Sequence, residues 1–238
     1  MEGFTYTNIF ETKGIEYVII IFFFLILIPF WLIMNRKSEA VKQIKQAVKA
    51  LTTSALRIPK GLFYSKNHTW AFLEKSGNAK IGIDDFLLQI VGAFELNMLK
   101  NEGDNIGKGE VLAEIEQEGR RLQLLAPISG VIVGINSALA ENAEIMEADP
   151  YGEGWMYAIQ PSNWKVETSG FYFAEEAIKW MGNELQRLKD FLNVTLSKND
   201  ETPILVYQEG GELQMNPLEG LNSKIWSDFQ DEFLSQPD

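Results

Sequence analysis

An uncharged apolar run near the N-terminus constrains this 238-residue chain more than any other feature. Residues 17–34 read YVIIIFFFLILIPFWLIM, which is 18 residues without a charged side chain. As a helix rising about 1.5 Å per residue, the run would measure about 27 Å, close to the roughly 30 Å hydrocarbon core of a bilayer. The sequence therefore predicts a single transmembrane helix over residues 17–34, preceded by a short N-terminus of residues 1–16.

A cleaved signal peptide is the alternative interpretation of this run. Such peptides begin with basic residues and end in small residues at the cleavage site. Residues 1–16 instead carry three glutamates against one lysine, and the run ends in the bulky residues WLIM. We therefore expect the helix to be retained as a membrane anchor.

The flanking charges predict the orientation of this anchor. Between Asn35 and Lys60 the chain carries seven Lys/Arg against one acidic residue. Because basic flanks stay in the cytoplasm, we expect the N-terminus outside and the remaining chain at the cytoplasmic face of the inner membrane. Residues 35–57 are predicted to form a basic juxtamembrane helix, which either lies on anionic lipid or continues as a stalk against a partner subunit.

The residue inventory excludes several kinds of site. The chain has no cysteine, so disulfides, thiolate metal sites and thiol catalysis are absent. Its only histidine, His68, cannot build a multi-histidine metal site, and we expect it to be structural. After Lys60 the chain has 13 Lys/Arg against 29 Asp/Glu, a balance that disfavours nucleic acid as a partner. No phosphate loop or catalytic motif occurs, so we predict neither an enzyme nor a small-molecule substrate.

Residues 58–164 show short apolar runs separated by turn residues, which predict a compact β sandwich or barrel. One short helix is expected over Asp84–Val91, with Asp84 or Asp85 as its N-cap. Six predicted strands account for the apolar runs: Trp70–Leu73, Ala79–Ile83, Val111–Ile115, Leu122–Leu125, Val131–Ile135 and Trp155–Ile159.

Several longer segments of this region have a specific form. They are IPKGLFY (58–64), HTW (68–70), IGIDDF (81–86), GDNIGKGEVL (103–112), APISGVIVGIN (126–136) and DPYGEGW (149–155). In order and spacing they resemble the H protein of the glycine cleavage system. The resemblance implies a barrel-sandwich hybrid fold of the lipoyl-domain type, with the lipoyl-lysine at a hairpin tip.

The lysine that the resemblance implies is missing. In H proteins it lies eight residues before the proline of the second half; here that proline is Pro127 and the position is Gly119. No lysine occurs from Gly109 to Trp164, so a shifted alignment supplies none. We therefore expect no lipoyl group, and no cofactor or metal of any other kind.

The same hairpin tip carries Arg120 and Arg121. In an otherwise acidic body these arginines are predicted to form a local positive site that binds an acidic or phosphorylated partner. The alternative is a solvated turn without a binding role.

Residues 165–238 form an extension beyond the H-protein-like segment. The periodicity predicts a helix over 172–196, a hairpin over 203–215 and a last helix over 222–234. The last helix presents Trp226, Phe229 and Phe233, which are candidate anchors for a partner protein. The alternative is that these three rings close the core of this same chain.

Together these features predict a mainly β (α+β) chain with a transmembrane helix and a C-terminal α/β extension. The function predicted is that of a noncatalytic membrane-anchored scaffold, or an accessory subunit of a membrane complex such as a respiratory or redox complex. The alternative is a carrier or regulator of the glycine cleavage type. An efflux or secretion adaptor is disfavoured, because the roughly 15 residues between Leu112 and Pro127 leave no room for the helical hairpin of such adaptors.

Overall fold

The computed structural model describes residues 17–28, 50–198 and 213–235. Contacts within the chain divide it into two compact units, Met1–Val48 and Lys49–Asp238. In the first unit the described residues 17–28 form a helix, α1, whose side chains are exposed. Within the described ranges no helix is both long enough and apolar enough to cross a membrane. The remainder of the predicted transmembrane segment, residues 29–34, lies outside those ranges, as do residues 1–16 and 35–49.

The described residues of the second unit form two antiparallel sheets. One has seven strands in the order β10-β1-β2-β3-β9-β8-β5, and the other has three in the order β4-β6-β7. This arrangement confirms the mainly β fold. The strands are β1 (Phe63–Tyr64), β2 (Thr69–Leu73), β3 (Ala79–Ile83), β4 (Glu95–Met98), β5 (Asn105–Ile106), β6 (Val111–Gln117), β7 (Arg120–Leu125), β8 (Gly130–Ile135), β9 (Trp155–Pro161) and β10 (Tyr172–Phe173).

Helices connect and flank the sheets. They are α2 (Asp85–Val91), α3 (Ala138–Glu141), α4 (Glu144–Ala148), α5 (Trp164–Glu167), α6 (Glu175–Lys198) and α7 (Ser223–Phe229), and α7 continues as a π-helix over Gln230–Leu234. The predicted cap of α2 is confirmed as Asp84, whose carboxylate accepts a hydrogen bond from the Leu87 amide at 2.9 Å. Asn222 caps α7 in the same way.

The packing of Trp70 explains one glycine of the family-like segment. The Trp70 side chain is buried and donates a hydrogen bond from its indole nitrogen to the Ile83 carbonyl at 2.9 Å. A Cβ atom on Gly82, directly opposite Trp70 in the β2–β3 pair, would lie 2.7 Å from that indole ring. Glycine is therefore required at this position, since the buried ring has no room to shift.

Two predicted helix boundaries are wrong. Residues 51–56 belong to no helix, because the Leu51 amide donates to the Leu213 carbonyl at 2.8 Å and Ala50 pairs with Gln214. Tyr172–Phe173 is an edge strand against β1, and α6 begins only at Glu175. In both places a pairing with a distant segment prevails over local helical periodicity. The predicted strand at 203–208 lies outside the described residues.

Candidate functional site

The tip of the β6–β7 hairpin is a two-residue turn. Gln117 pairs with Arg120, which leaves Glu118 and Gly119 as the central residues, with φ angles of 50° and 80°. Two positive φ values define the type I′ turn that fits the twist of paired strands, and glycine suits it best. No atom lies within 4 Å of a Cβ built on Gly119, so the tip is open to solvent.

Arg120 is not exposed on this tip, so that part of the predicted positive site is wrong. Its side chain is only 8% exposed. The guanidinium donates to the Leu221 carbonyl and to the Gln117 carbonyl, and it lies 5.2 Å from the centre of the Trp226 ring. The alternation of β7 explains the burial, because it turns Arg120 towards the C-terminal segment that covers this side of the hairpin.

Arg121 faces the solvent, with 60% of its side chain exposed. It lies between two carboxylates of the neighbouring strand, 3.1 Å from Glu116 and 3.9 Å from Glu114. Beside it, a groove at the tip is lined by four glutamates: Glu95, Glu116, Glu118 and Glu219. Arg121 pairs with Glu116 and Arg120 pairs with Glu118, so carboxylates outnumber arginines at the tip. The surface of the tip is therefore acidic, which is the opposite of the predicted charge.

Trp226, Phe229 and Phe233 are buried in this chain, so they are not available as partner anchors in this conformation. Trp226 donates its indole N–H to the Leu218 carbonyl at 3.1 Å, and the Phe229 and Phe233 rings stack at 4.7 Å. The alternative interpretation, that these rings close the core of the same chain, is the one the structure favours. The apolar face of α7 and the π-helix packs on β7 and on Phe191 of α6.

The outer edge of β7 is occupied by a side chain of the π-helix. The backbone N–H of Gln123 donates to Gln230 Oε1 at 2.7 Å, and Gln230 Nε2 donates to the backbone carbonyl of Gln123 at 3.3 Å. This is the pair of hydrogen bonds that a neighbouring strand would supply. Gln230 thus closes the edge that β7 would otherwise offer to an extended segment.

His68 lies at the centre of a second polar cluster, between Asp84 at the start of α2 and Glu184 of α6. Its side chain is fully buried and its Nδ1 lies 2.9 Å from Asp84 Oδ2, while Nε2 lies 3.6 Å from Glu184 Oε2. Burial alone would lower the pKa of His68, but the two carboxylates raise it to about 9. The structural role predicted for His68 agrees with this burial.

Glu184 is a functional candidate that the sequence reasoning missed. It lies on the buried side of α6, between Met181 and Leu188 of the apolar stripe. The sequence did contain a signal for Glu184, which is a charged residue at a position where the helical period predicts an apolar one. Because a buried carboxylate requires a partner, such a position indicates a polar contact in the core. Burial raises the pKa of Glu184. His68 and Arg187 lower it by a larger amount, so its pKa lies below the usual range.

Comparison with known proteins identifies the body of the second unit. The family model described as glycine cleavage H-protein matches residues 62–184, just over half of the chain. This chain belongs to the glycine cleavage H-protein family. The H-protein match includes the hairpin tip, His68 and α6 as far as Glu184, whereas α7 and the π-helix lie beyond it.

Individual relatives agree with this assignment. The probable glycine cleavage system H protein of Thermococcus gammatolerans is 33% identical over 125 residues, covering 52% of this chain and 92% of the relative. The glycine cleavage system H protein of an Anaeromyxobacter species is 38% identical over 109 residues, covering 45% of this chain and 84% of the relative. A crystal structure of the H protein from Mycobacterium marinum aligns with a TM-score of 0.41 at 30% identity, covering 44% of this chain and 87% of that one.

The described part of this H-protein family member contains no group of three or more His, Asp or Glu side chains placed to hold a metal ion. Its described polar clusters include the acidic groove at the tip, the His68 cluster and the pair of Arg57 with the buried carboxylate of Asp85.

Proposed function

We propose that this chain is a non-lipoylated member of the H-protein family that acts by binding other proteins, as a noncatalytic regulator of a glycine cleavage system. The observation that carries the proposal is the hairpin tip. An H-protein fold presents a lipoyl group there, and this tip consists of Glu118 and Gly119, with no lysine from Gly109 to Trp164. A chain that keeps the family fold but lacks the attachment lysine retains the surface that binds other proteins. It loses the ability to carry a lipoyl group.

The surroundings of the tip support a binding role over a carrier role. A carrier arm needs a lysine at the attachment position, which is Gly119 here, and the neighbouring Arg120 is fixed beneath the tip by Leu221 and Trp226. The exposed groups of the tip are carboxylates, which favour a basic surface on the partner. The expected regulator would occupy the place of an H protein on its partners without delivering a lipoyl arm.

Lipoate attachment provides the first test. The full chain, incubated with a lipoate-attaching enzyme, lipoate and ATP, should show no increase in intact mass, while an authentic H protein in the same reaction gains a lipoyl group. Gly119→Lys is the matched variant: it places a lysine at the tip and asks whether the body is still recognised. A lipoyl increment on any residue of the unmodified chain would overturn the proposal.

Activity in a reconstituted glycine cleavage system provides the second readout of the same experiment. Adding the full chain in about tenfold excess over the resident H protein should slow the reaction, because both bodies compete for the same partners. When the H protein is omitted, the chain should restore no activity. An unchanged rate at this excess would remove the glycine cleavage partner and leave only the membrane role below.

A second candidate function is that of a membrane-anchored scaffold or accessory subunit. We base it on the apolar run of residues 17–34, of which residues 17–28 are helical with exposed side chains, and on the basic segment that follows. The bilayer and the subunits of a membrane complex, for example a respiratory one, are then its partners. The carboxyl-side body would lie in the cytoplasm.

Membrane topology is tested with intact cells. Protease added from outside should leave the body of the chain undigested, and the same protease should digest it after the cells are permeabilised. Extraction at high salt or alkaline pH should leave the chain in the membrane pellet, because an integral helix is not held by charge. Digestion of the body in intact cells would contradict the orientation, and release by salt would contradict the anchor.

A further inference from the structure

An unusual buried feature of the described residues is an ion triad that joins the β1–β2 turn and the start of α2 to α6, within the H-protein match. His68 and Asp84 belong to the body, at the β1–β2 turn and the start of α2, and Glu184 belongs to α6. The side chains of His68 and Asp84 are fully buried, and Glu184 is 7% exposed. The rings of Phe86 and Trp180 stack on the imidazole at 4.4 Å and 5.2 Å, which excludes water from both faces.

The contacts of the triad bear on its charges. Asp84 Oδ1 accepts from the Leu87 amide, and Asp84 Oδ2 lies 2.9 Å from His68 Nδ1. Burial raises the pKa of the Asp84 carboxyl, and a protonated His68 beside it acts in the opposite direction. The other ring nitrogen, Nε2, has no hydrogen-bond partner and faces the Glu184 carboxylate at 3.6 Å. A neutral ring would direct a lone pair at that carboxylate, whereas a protonated ring directs an N–H at it. The arrangement therefore suits a charged His68 between two carboxylates.

From Glu184 the connection continues to the C-terminal π-helix. Arg187, one turn along α6, donates to both oxygens of Glu184 at 2.8 Å and 2.7 Å. The same guanidinium donates to the Glu232 carbonyl and lies 4.1 Å from the centre of the Phe233 ring. Glu232 and Phe233 belong to the short helix whose Gln230 closes the edge of β7. The charges that face His68 are thus Asp84 from α2 and Glu184 from α6, with Arg187 behind Glu184, while Phe233 faces it at 6.4 Å from the π-helix.

We propose that this triad holds the C-terminal helices in place as a cover of the β6–β7 hairpin. The positive ring between two carboxylates ties α6 to the body, and Arg187 ties the π-helix to α6. In the covered state Gln230 occupies the β7 edge and Arg120 is buried under Trp226. Weakening the triad should loosen the cover and expose that strand edge to solvent. The proposal concerns the fold of this chain and does not depend on which partner the body binds.

The single histidine of the chain makes the test direct, because its ring gives the only imidazole signals in an NMR spectrum. The full chain in detergent micelles would be titrated by NMR and, at one neutral pH, analysed by hydrogen–deuterium exchange. The triad variant is Glu184→Gln, and the matched control is Glu176→Gln, an exposed glutamate of the same helix. In the unmodified chain the ring should remain protonated well above the ordinary histidine pKa.

Glu184→Gln should lower the pKa of His68 and speed exchange in β7 and in residues 223–234 by about tenfold or more, while β3 and β9 keep their protection. Glu176→Gln should change neither. Gln230→Ala provides an independent test of the last link: it should speed exchange at Gln123 and leave the titration of His68 unaltered.

Three results would overturn the proposal. The first is a ring that titrates near the ordinary histidine value in the unmodified chain. The second is exchange in residues 223–234 that is the same in Glu184→Gln and in the control. The third is a loss of protection in β3 and β9 together with the cover, because the triad would then support the whole body and not the cover alone.

Discussion

Replacing Trp226 with alanine should lower the free energy of unfolding by about 4 kcal/mol, the usual cost of removing a buried aromatic ring. Trp226 is 1% exposed, and its indole N–H is bonded to the Leu218 carbonyl. Removing the ring leaves a cavity and also takes away the aromatic face beside the Arg120 guanidinium. Urea unfolding of the full chain in detergent, followed by circular dichroism at neutral pH, measures the change.

The control for this experiment is Arg121→Ala on the same hairpin. Arg121 is exposed and its pairs with Glu114 and Glu116 are solvent-screened, so the cost should stay below about 1 kcal/mol. The comparison separates the two interpretations of the C-terminal aromatic rings. If Trp226→Ala were as mild as the control, the last helix would not be packed on the body, and its rings would be free to anchor a partner.

The elements of the body could be predicted from the sequence because its strands are short apolar runs bounded by glycine and aspartate. Ala79–Ile83 has the predicted bounds, and Asp84 is one of the two predicted caps of α2. These features depend on neighbours within a few residues. The resemblance to the H-protein family could also be recognised from the sequence, because it rests on contiguous segments such as DPYGEGW at 149–155.

The environment of the tip could not be predicted in the same way. Arg120 and Arg121 are adjacent and chemically alike, yet one is buried and the other exposed, because a strand turns successive side chains to opposite faces. Which face is covered depends on Leu221 and Trp226, about a hundred residues further along the chain. Sequence reasoning assumed a free tip, as in a carrier domain without an extension, and therefore assigned the wrong charge to its surface.

The partner of His68 illustrates the same limit. Asp84 could be predicted as a cap but not as the acceptor of the His68 ring, since that contact needs the β1–β2 turn to lie on the start of α2. Glu184 comes from a helix 116 residues beyond His68 in the chain. The lone histidine was expected to be structural, and its burial agrees with that expectation, whereas its charge state depends on the three-dimensional contacts.

That charge state predicts a specific dependence of stability on pH. The pKa of His68 is raised from 6.5 to about 9 in the folded chain, against the effect of burial and because of Asp84 and Glu184. The folded state therefore binds the proton more tightly than the unfolded state, so the stabilisation is fully present below pH 6.5. It should be lost as the pH rises through 9, with a total decrease on the order of 3 kcal/mol in the free energy of unfolding.

Few side chains of this protein titrate in this pH window. The chain contains no cysteine and a single histidine, so no other side chain has an ordinary pKa between 6.5 and 9. Urea unfolding at intervals across the window should therefore report the coupled group of His68 with Asp84 and Glu184, since burial also raises the pKa of Asp84. Glu184→Gln should reduce the decrease by removing one of the two carboxylates that hold the proton. A free energy of unfolding that stays level from pH 6.5 to 9 would mean that His68 is neutral when folded. In that case the buried proton would lie on the carboxyl groups of Asp84 and Glu184 and not on the imidazole of His68.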